Sequence, residues 1–382
     1  LAAVTTAKYW RNAALEESLT FGHHNKAFLF HLIRHFRANV MQRTTIIFAN
    51  PYKIELFRSA LPAPGEEEVL IKTQISAISP GTELLLYRGQ FPPHLSVDAT
   101  IPALSRPFSY PLAYGYASVG RVVEIGRSAN KDLLGQTVFC LHPHESHYVI
   151  QQDQVIPLPD NLDPDDAVFL ASMETAVNFL MDGQPVIGEN VVIFGQGIVG
   201  LLTTILLSRL PLGIIVALDS YALRRASAKN AGVQIVLNPN AGNVLSKCRQ
   251  MLKPSADDGG ADLIYEISGN PDALNQALAL AGPYARIVIG SWYGTKKAEL
   301  DLGGSFHRNR IRLISSQVSS LAPQFSGRWS KKRRRRVALD MIQRLNPARF
   351  VTHRFGVQQA GKAYELLDKT PQEAIQVLLT YE

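Results

Sequence analysis

Residues 139–147 read FCLHPHESH and set Cys140, one of only two cysteines in the chain, beside His142, His144 and His147. In an extended chain the period of two would bring Cys140, His142 and His144 to one face. A thiolate with two imidazoles suits zinc, although Pro143 interrupts such a strand. Three uses of the stretch stay open. It can be a metal site, it can be packing or surface, or one histidine can exchange the proton that accompanies a hydride transfer.

A second stretch, IFGQGIVG, carries clearer chemistry. Gly195, Gly197 and Gly200 form G-x-G-x-x-G between a strand, ENVVIF, and a helix, IVGLLTTILLSRL. The first glycine permits a tight turn, the second lets a pyrophosphate approach the backbone, and the third lets helix and strand pack closely. The helix start supplies free N–H groups and partial positive charge. Gln196, Ile198 and Val199 belong to the same turn. Asp219 ends the next strand, GIIVALD, about 20 residues on, where an acid accepts ribose hydroxyls. A carboxylate there repels a 2′-phosphate, so NAD is expected ahead of NADP. Arg224 and Arg225 follow on a helix and read as solvent-exposed. Ser268, Gly290 and Trp292, at the ends of later strands, complete the expected cofactor-binding set.

These residues need elements to hold them. From 42 to 157 the texture is β: TTIIFANPYKIELF reads as two strands around a turn, and EVLIKTQISAIS, SVGRVVEIG and QTVFCL alternate as strands do. Pro and Gly punctuate throughout, as in a barrel or sandwich. The proline-rich region 88–111 reads as a long functional loop. At NLDPDDAVFLASMETAVNFLMDG the texture changes to one helix, capped by Asp163, with Pro164 in its first turn and Gly183 at its end. Strands and helices then alternate (VVIF, GIIVALD, VQIVL, ADLIYEIS and ARIVIG with helices between most of them), which predicts a parallel sheet covered on both faces. AIQVLLTYE closes the chain as a strand.

With 382 residues, 46% apolar and 19% charged, the chain is long enough for two folded domains. No run of about 18 apolar residues marks a membrane span. Two cysteines make no disulfide framework, suit a reducing compartment, and exclude a four-cysteine structural zinc site. The net charge of +7 owes much to KKRRRR, Lys331–Arg336. This run reads as the exposed face of a helix continuing through VALDMIQRL, and no nucleic-acid partner is expected.

A β-rich unit, a Rossmann unit and a short return resemble the medium-chain dehydrogenase/reductase superfamily, the alcohol dehydrogenase-like proteins. The carriers are PGTELLLYRG (80–89), YGYASVGRVVEIG (114–126), METAVNFL (173–180) and FGQGIVG (194–200). The resemblance implies a GroES-like β-barrel catalytic domain over 42–185, completed by 321–382. It also implies a doubly wound Rossmann domain over 186–320, with residues 1–41 as an extension. Zinc-dependent members read C-G-T-D where this chain has Pro80-Gly81-Thr82-Glu83, and G-H-E where it has Gly115-Tyr116-Ala117. Of the usual ligands only the carboxylate Glu174 survives, and one carboxylate does not hold a catalytic zinc. AYGY, VFCLHPH, METAVN, SWYG and SSQV are similar to a zinc-lacking subgroup, close in outline to the bacteriochlorophyllide dehydrogenases.

The expected activity is a zinc-independent, NAD(P)-dependent hydride transfer to or from an alcohol/carbonyl or conjugated alkene. Thr82, Tyr116, His144 and Glu174 are the expected catalytic set. The substrate is expected to be a small molecule, larger than ethanol and anionic, and the protein a cytoplasmic homodimer. Two rivals remain: a zinc enzyme using Glu174 with some of His142, His144 and His147, and a nucleotide-binding sensor without chemistry.

Overall fold

The computed structural model describes residues 41–98, 100–252 and 259–382. The extension expected over residues 1–41 lies almost wholly outside them. Residues 44–58 and 62–382 form one compact unit, and every candidate site residue belongs to it.

The expected hairpin is present as β1 (Gln42–Asn50) and β2 (Lys53–Ala60), with Tyr52 in the turn at φ +61°. Then follow β3 (Glu68–Ala77), the short helix α1 (Thr82–Tyr87), β4 (Leu112–Ala113), β5 (Ser118–Ile125), β6 (Thr137–Cys140), β7 (His147–Gln151) and β8 (Ile156–Pro157). β3 is the hub of the larger antiparallel assembly, since it pairs with both β5 and β7. Its register against β5 shifts between Thr73 and Ile75, which re-aims the strand. Val69 and Ile71 pack with Val122, Val138 and Tyr148. Ile75 and Ala77 instead pack with Val119, Phe139 and the helices that follow.

The single helix expected from Asp163 to Gly183 is two: α2 (Pro164–Ala167) and α3 (Leu170–Gly183). Asp163 caps the first as expected, its carboxylate accepting the Asp165 N–H at 2.9 Å. Gly183 ends the second, but the left-handed residue is Gln184, at φ +46°. Gly183 is small for another reason, because a Cβ there would lie 2.3 Å from the Tyr265 hydroxyl.

The alternating region gives β9 (Val191–Phe194), α4 (Ile198–Leu207), β10 (Ile215–Leu218), α5 (Ala222–Asn230), β11 (Ile235–Leu237), α6 (Val244–Met251), β12 (Ala261–Glu266), α7 (Ala273–Leu280), β13 (Ala281–Ile289) and β14 (Arg312–Ser315). Helix α6 was not anticipated, since VLSKCRQM is short and mostly polar. The six strands are parallel in the order β11-β10-β9-β12-β13-β14. Counted from β9 this is 3-2-1-4-5-6, the Rossmann order, whose ligands sit outside the carboxyl ends of the strands.

The chain returns through α8 (Lys331–Leu345), β15 (Val351–Gly356), α9 (Ala360–Lys369) and β16 (Gln376–Thr380). β16 pairs antiparallel with β3 and parallel with β15, so the last strands complete the seven-stranded sheet of β3. Helix α3 links the layers. Its Leu170, Met173 and Val177 share one apolar cluster with Val119 and Phe139 of the antiparallel sheet, Leu201 and Ile205 of α4, and Ala338 and Ile342 of α8. Among the described residues no helix is long and apolar enough to cross a membrane.

Candidate active site

The glycine turn has the geometry its sequence predicts. Gly195 stands at φ +94°, and a Cβ there would fall 2.6 Å from the Ser268 Cα. A Cβ on Gly200 would fall 2.0 Å from the Gly195 carbonyl oxygen, so helix α4 and the turn touch backbone to backbone. Gly197 is different: the nearest atom to its Cβ position is an Arg224 nitrogen at 3.9 Å. The space over Gly197 is therefore open, as a bound pyrophosphate requires. Gly197 is also the N-cap of α4 and offers no side-chain cap, which leaves the first helical N–H groups free for an anion. Ile198 is buried in the apolar core and Val199 packs against it, so in this set they offer only their backbone. Gln196 is wholly buried, and its side-chain oxygen accepts from the Thr204 hydroxyl at 2.9 Å.

Asp219 follows β10 and is buried. Its carboxylate accepts the Gln196 N–H at 2.7 Å and the Tyr221 N–H at 2.8 Å. The acid is thus tied directly to the glycine turn. Arg224 and Arg225 depart from the expectation of free exposure. Arg225 donates to the carbonyls of Asp219 and Ser220 at 2.9 and 2.7 Å. Arg224 donates to Ala374 and Pro371 carbonyls and lies over the Tyr221 ring. Its burial lowers the guanidinium pKa, against the pull of Asp219 and Tyr221.

On the other side of β9, Ser268 packs on Gly195 as above. Gly290 has no room for a side chain, with Phe179 at 2.2 Å from its Cβ position. Trp292 is 40% exposed and stands edge-on to Phe91, ring centroids 5.0 Å apart. Phe91 in turn stacks on Phe108. The loop 88–111 therefore sends two aromatic rings to the edge where Trp292 lies.

The four expected catalytic residues divide. Tyr116 and Thr82 come together: the Tyr116 hydroxyl donates to Ser79 Oγ at 2.5 Å and lies 3.4 Å from Thr82 Oγ1. Thr82 begins α1 without capping it. Burial pushes the Tyr116 phenol up, while its bonds to Ser79 and Thr82 act the other way. His144 does not face an open site. It has no exposed surface, and its ring nitrogens meet Ser76 Oγ at 2.7 Å and Glu83 Oε2 at 3.0 Å. Glu83, equally buried, also accepts the Tyr364 hydroxyl at 2.5 Å and the Ser79 N–H at 2.8 Å. His144 thus belongs to the frame behind Tyr116, with Gly115 pressed against its ring: a Cβ at Gly115 would be 2.8 Å from it. Glu83 was the overlooked member, although it stands next to Thr82 in the sequence.

Glu174 is neither a surface charge nor free. Arg334 Nε and Nη2 reach one of its oxygens at 3.2 and 3.1 Å, and Arg335 stands 3.6 Å from the other. The Arg334 side chain is only 2% exposed, so the basic run is not simply a solvated face. Its register on α8 turns Arg334 inward while Lys331–Arg333 and Arg336 stay exposed.

The histidine stretch disperses. Strand β6 stops at Cys140, whose thiol burial pushes up to about 12. His142 stacks on Tyr148 with centroids 3.7 Å apart, His144 turns to Glu83, and His147 begins β7 beside Ser146. Among the described residues no group of three or more His, Cys, Asp or Glu side chains is placed to hold a metal ion. A carboxylate already held by two guanidiniums, and a proline and a tyrosine where cysteine and histidine ligands would stand, do not fit a catalytic zinc.

Comparison with known proteins places this architecture. Residues 199–332 match the family model described as zinc-binding dehydrogenase. The uncharacterized zinc-type alcohol dehydrogenase-like protein YphC of Escherichia coli (strain K12) is 24% identical over 349 residues, covering 82% of this chain and 92% of that protein. D-guloside 3-dehydrogenase of the same strain is 23% identical over 335 residues, covering 82% and 93%. A crystal structure described as a short chain alcohol dehydrogenase from E. coli CFT073, complexed with NADH, superposes with a TM-score of 0.72 at 19% identity, covering 89% of this chain and 99% of that one. A Rossmann sheet in 3-2-1-4-5-6 order, joined to a second sheet that the C-terminal strand completes, agrees with these likenesses: the chain has the fold of the medium-chain, alcohol dehydrogenase-like oxidoreductases and is similar to them in sequence.

Proposed function

We propose that the chain is a zinc-independent, NAD-dependent oxidoreductase acting on an alcohol or carbonyl substrate, with 186–320 as its cofactor domain and 42–185 plus 321–382 as its catalytic domain. The observation that carries the reading is Asp219, buried at the end of β10 and hydrogen-bonded to the glycine turn. That geometry suits two ribose hydroxyls and repels a 2′-phosphate. A nicotinamide cofactor held by its adenosine ribose there would supply the hydride acceptor or donor. The open space over Gly197 and the uncapped start of α4 take the pyrophosphate.

The remaining chemistry falls to Tyr116. Its hydroxyl rests between Ser79 and Thr82 and polarises a carbonyl oxygen by hydrogen bonding as negative charge develops there. Ser79 and Thr82 hold the phenol in line. Glu174 is held by Arg334 and Arg335 and serves as an anchor rather than as part of the reacting set. Exposed Trp292 and the rings of Phe91 and Phe108 favour a substrate with an apolar body.

The direct test is a titration of the protein with NADH and NADPH, followed by turnover across a panel of alcohols and aldehydes. The reading expects NADH to bind more tightly and at least one alcohol to be oxidised. Binding without turnover across the panel would favour a sensor.

A further inference from the structure

We propose that Glu266 positions the nicotinamide end of the cofactor, by locking together the loops that leave β12 and β13. This rests on the cofactor reading above and adds to it a residue and a half of the ligand.

Strand order says which half. Asp219 leaves β10, on one side of β9, and belongs to the adenosine ribose; the glycine turn between holds the pyrophosphate. The nicotinamide half must then extend over the carboxyl ends of β12 and β13. Glu266 is the last residue of β12, in register with Phe194 of β9 and Ile289 of β13. It has no exposed surface.

Its bonding is all on one task. One carboxylate oxygen accepts the Ser268 N–H at 2.8 Å and the Ser268 hydroxyl, and the other accepts the Tyr293 hydroxyl. Its backbone carbonyl accepts the N–H groups of Gly290 and Ser291 at 2.9 and 3.2 Å. The Ser291 hydroxyl accepts the Gly269 N–H at 2.8 Å, and Lys296 donates to the Gly269 carbonyl. The second loop is gripped from its far side too, where Thr295 N–H donates to the Gln90 carbonyl at 3.0 Å. No ion pair neutralises Glu266 among the described residues' salt bridges. A buried carboxylate is costly unless its oxygens are hydrogen-bonded, so three donors on two loops are held to it firmly.

An amide in place of the carboxylate would present N–H to a donor and release one loop. The experiment measures dissociation constants of NADH and of ADP-ribose, which lacks the nicotinamide, for wild type, Glu266→Gln and Tyr293→Phe. Expected for Glu266→Gln is NADH binding weakened about tenfold or more with ADP-ribose held within about twofold. Tyr293→Phe, which removes one donor and keeps the shape, should show the same selectivity at smaller size. Equal weakening of both ligands in both variants, or unchanged NADH binding in both, overturns the proposal. Failure of the wild-type protein to bind either ligand instead overturns the cofactor reading on which it rests.

Discussion

Arg334 gives all of its guanidinium N–H donors to one place: two to Glu174, and the others to Asn178 Oδ1 at 2.6 Å and the carbonyls of Val318 and Ser320 at 2.5 and 3.3 Å. Glu174 and Asn178 lie one turn apart on α3, and Asn178 continues to Asp182 and Ser316 at 2.9 and 3.1 Å. The carboxylate that zinc-dependent relatives of this architecture would give to a metal is here given to an arginine, and that arginine also clamps the chain leaving β14.

Removing one partner of such a pair strands a buried charge. Arg334→Met should destabilise the protein by about 3–5 kcal/mol, read from urea denaturation, and Glu174→Met/Arg334→Met should recover much of it. Equal losses in the single and double variants would mean that packing, not charge, is what Arg334 provides.

Tyr116→Phe removes the hydroxyl that lies between Ser79 and Thr82. Turnover should fall about a hundredfold while NADH affinity stays within about twofold, as for loss of one donor at a developing oxyanion. Unchanged turnover would remove Tyr116 from the chemistry. His144→Gln is expected to lower stability, because the ring is enclosed and bonded at both nitrogens.

Asp219→Asn should weaken NADH by about ten- to a hundredfold and narrow the gap to NADPH, since a charged acceptor is exchanged for a neutral one. The check is the pair of affinities for each cofactor. A variant that keeps a full preference for NADH would place the selectivity elsewhere, with Arg224 as the first residue to examine.

Alkaline pH should erode stability. Burial pushes the Cys140 thiol up to about 12, against a bond from Tyr148 that lowers it, and burial also raises Cys248. An unfolded thiol titrates near about 8.5. Above that pH the unfolded chain loses a proton that folded Cys140 keeps, so stability present below about pH 8.5 is lost progressively toward pH 12. The slope for Cys140 alone is about 1.4 kcal/mol per pH unit. Urea denaturation at pH 8 and 10 reads this, and a thiol reagent should find neither cysteine until the protein unfolds.

What could be read in the sequence follows from distance along the chain. The glycine turn and Asp219 were legible because their spacing is local: Gly195 and Gly200 each meet a backbone atom that forbids a side chain, and Gly197 keeps its space open. The strand alternation of β9–β13 was legible because those strands are short apolar runs; β14, the four residues RLIS, was not read. Helix α6 was not, since VLSKCRQM buries only Val244 and Cys248. The Arg334–Glu174 pair joins residues 160 apart, and Tyr364 reaches Glu83 across 281. No periodicity announces such contacts, and a run such as KKRRRR hides buried Arg334 and half-buried Arg335 among exposed neighbours. FCLHPHESH misled in the opposite sense. Its histidines are close in sequence, but the end of β6 at Cys140 and the start of β7 at His147 send their rings to different neighbours.

The central claim is that the Tyr116 site works without a metal. Metal content by mass spectrometry, on protein purified without chelator or added metal and shown to turn over an alcohol with NAD, tests it most directly. Essentially no zinc in active protein is the predicted result. About one zinc per chain, with activity lost on its removal, would contradict the account and return Glu174 and the histidines at 142–147 to the role of ligands.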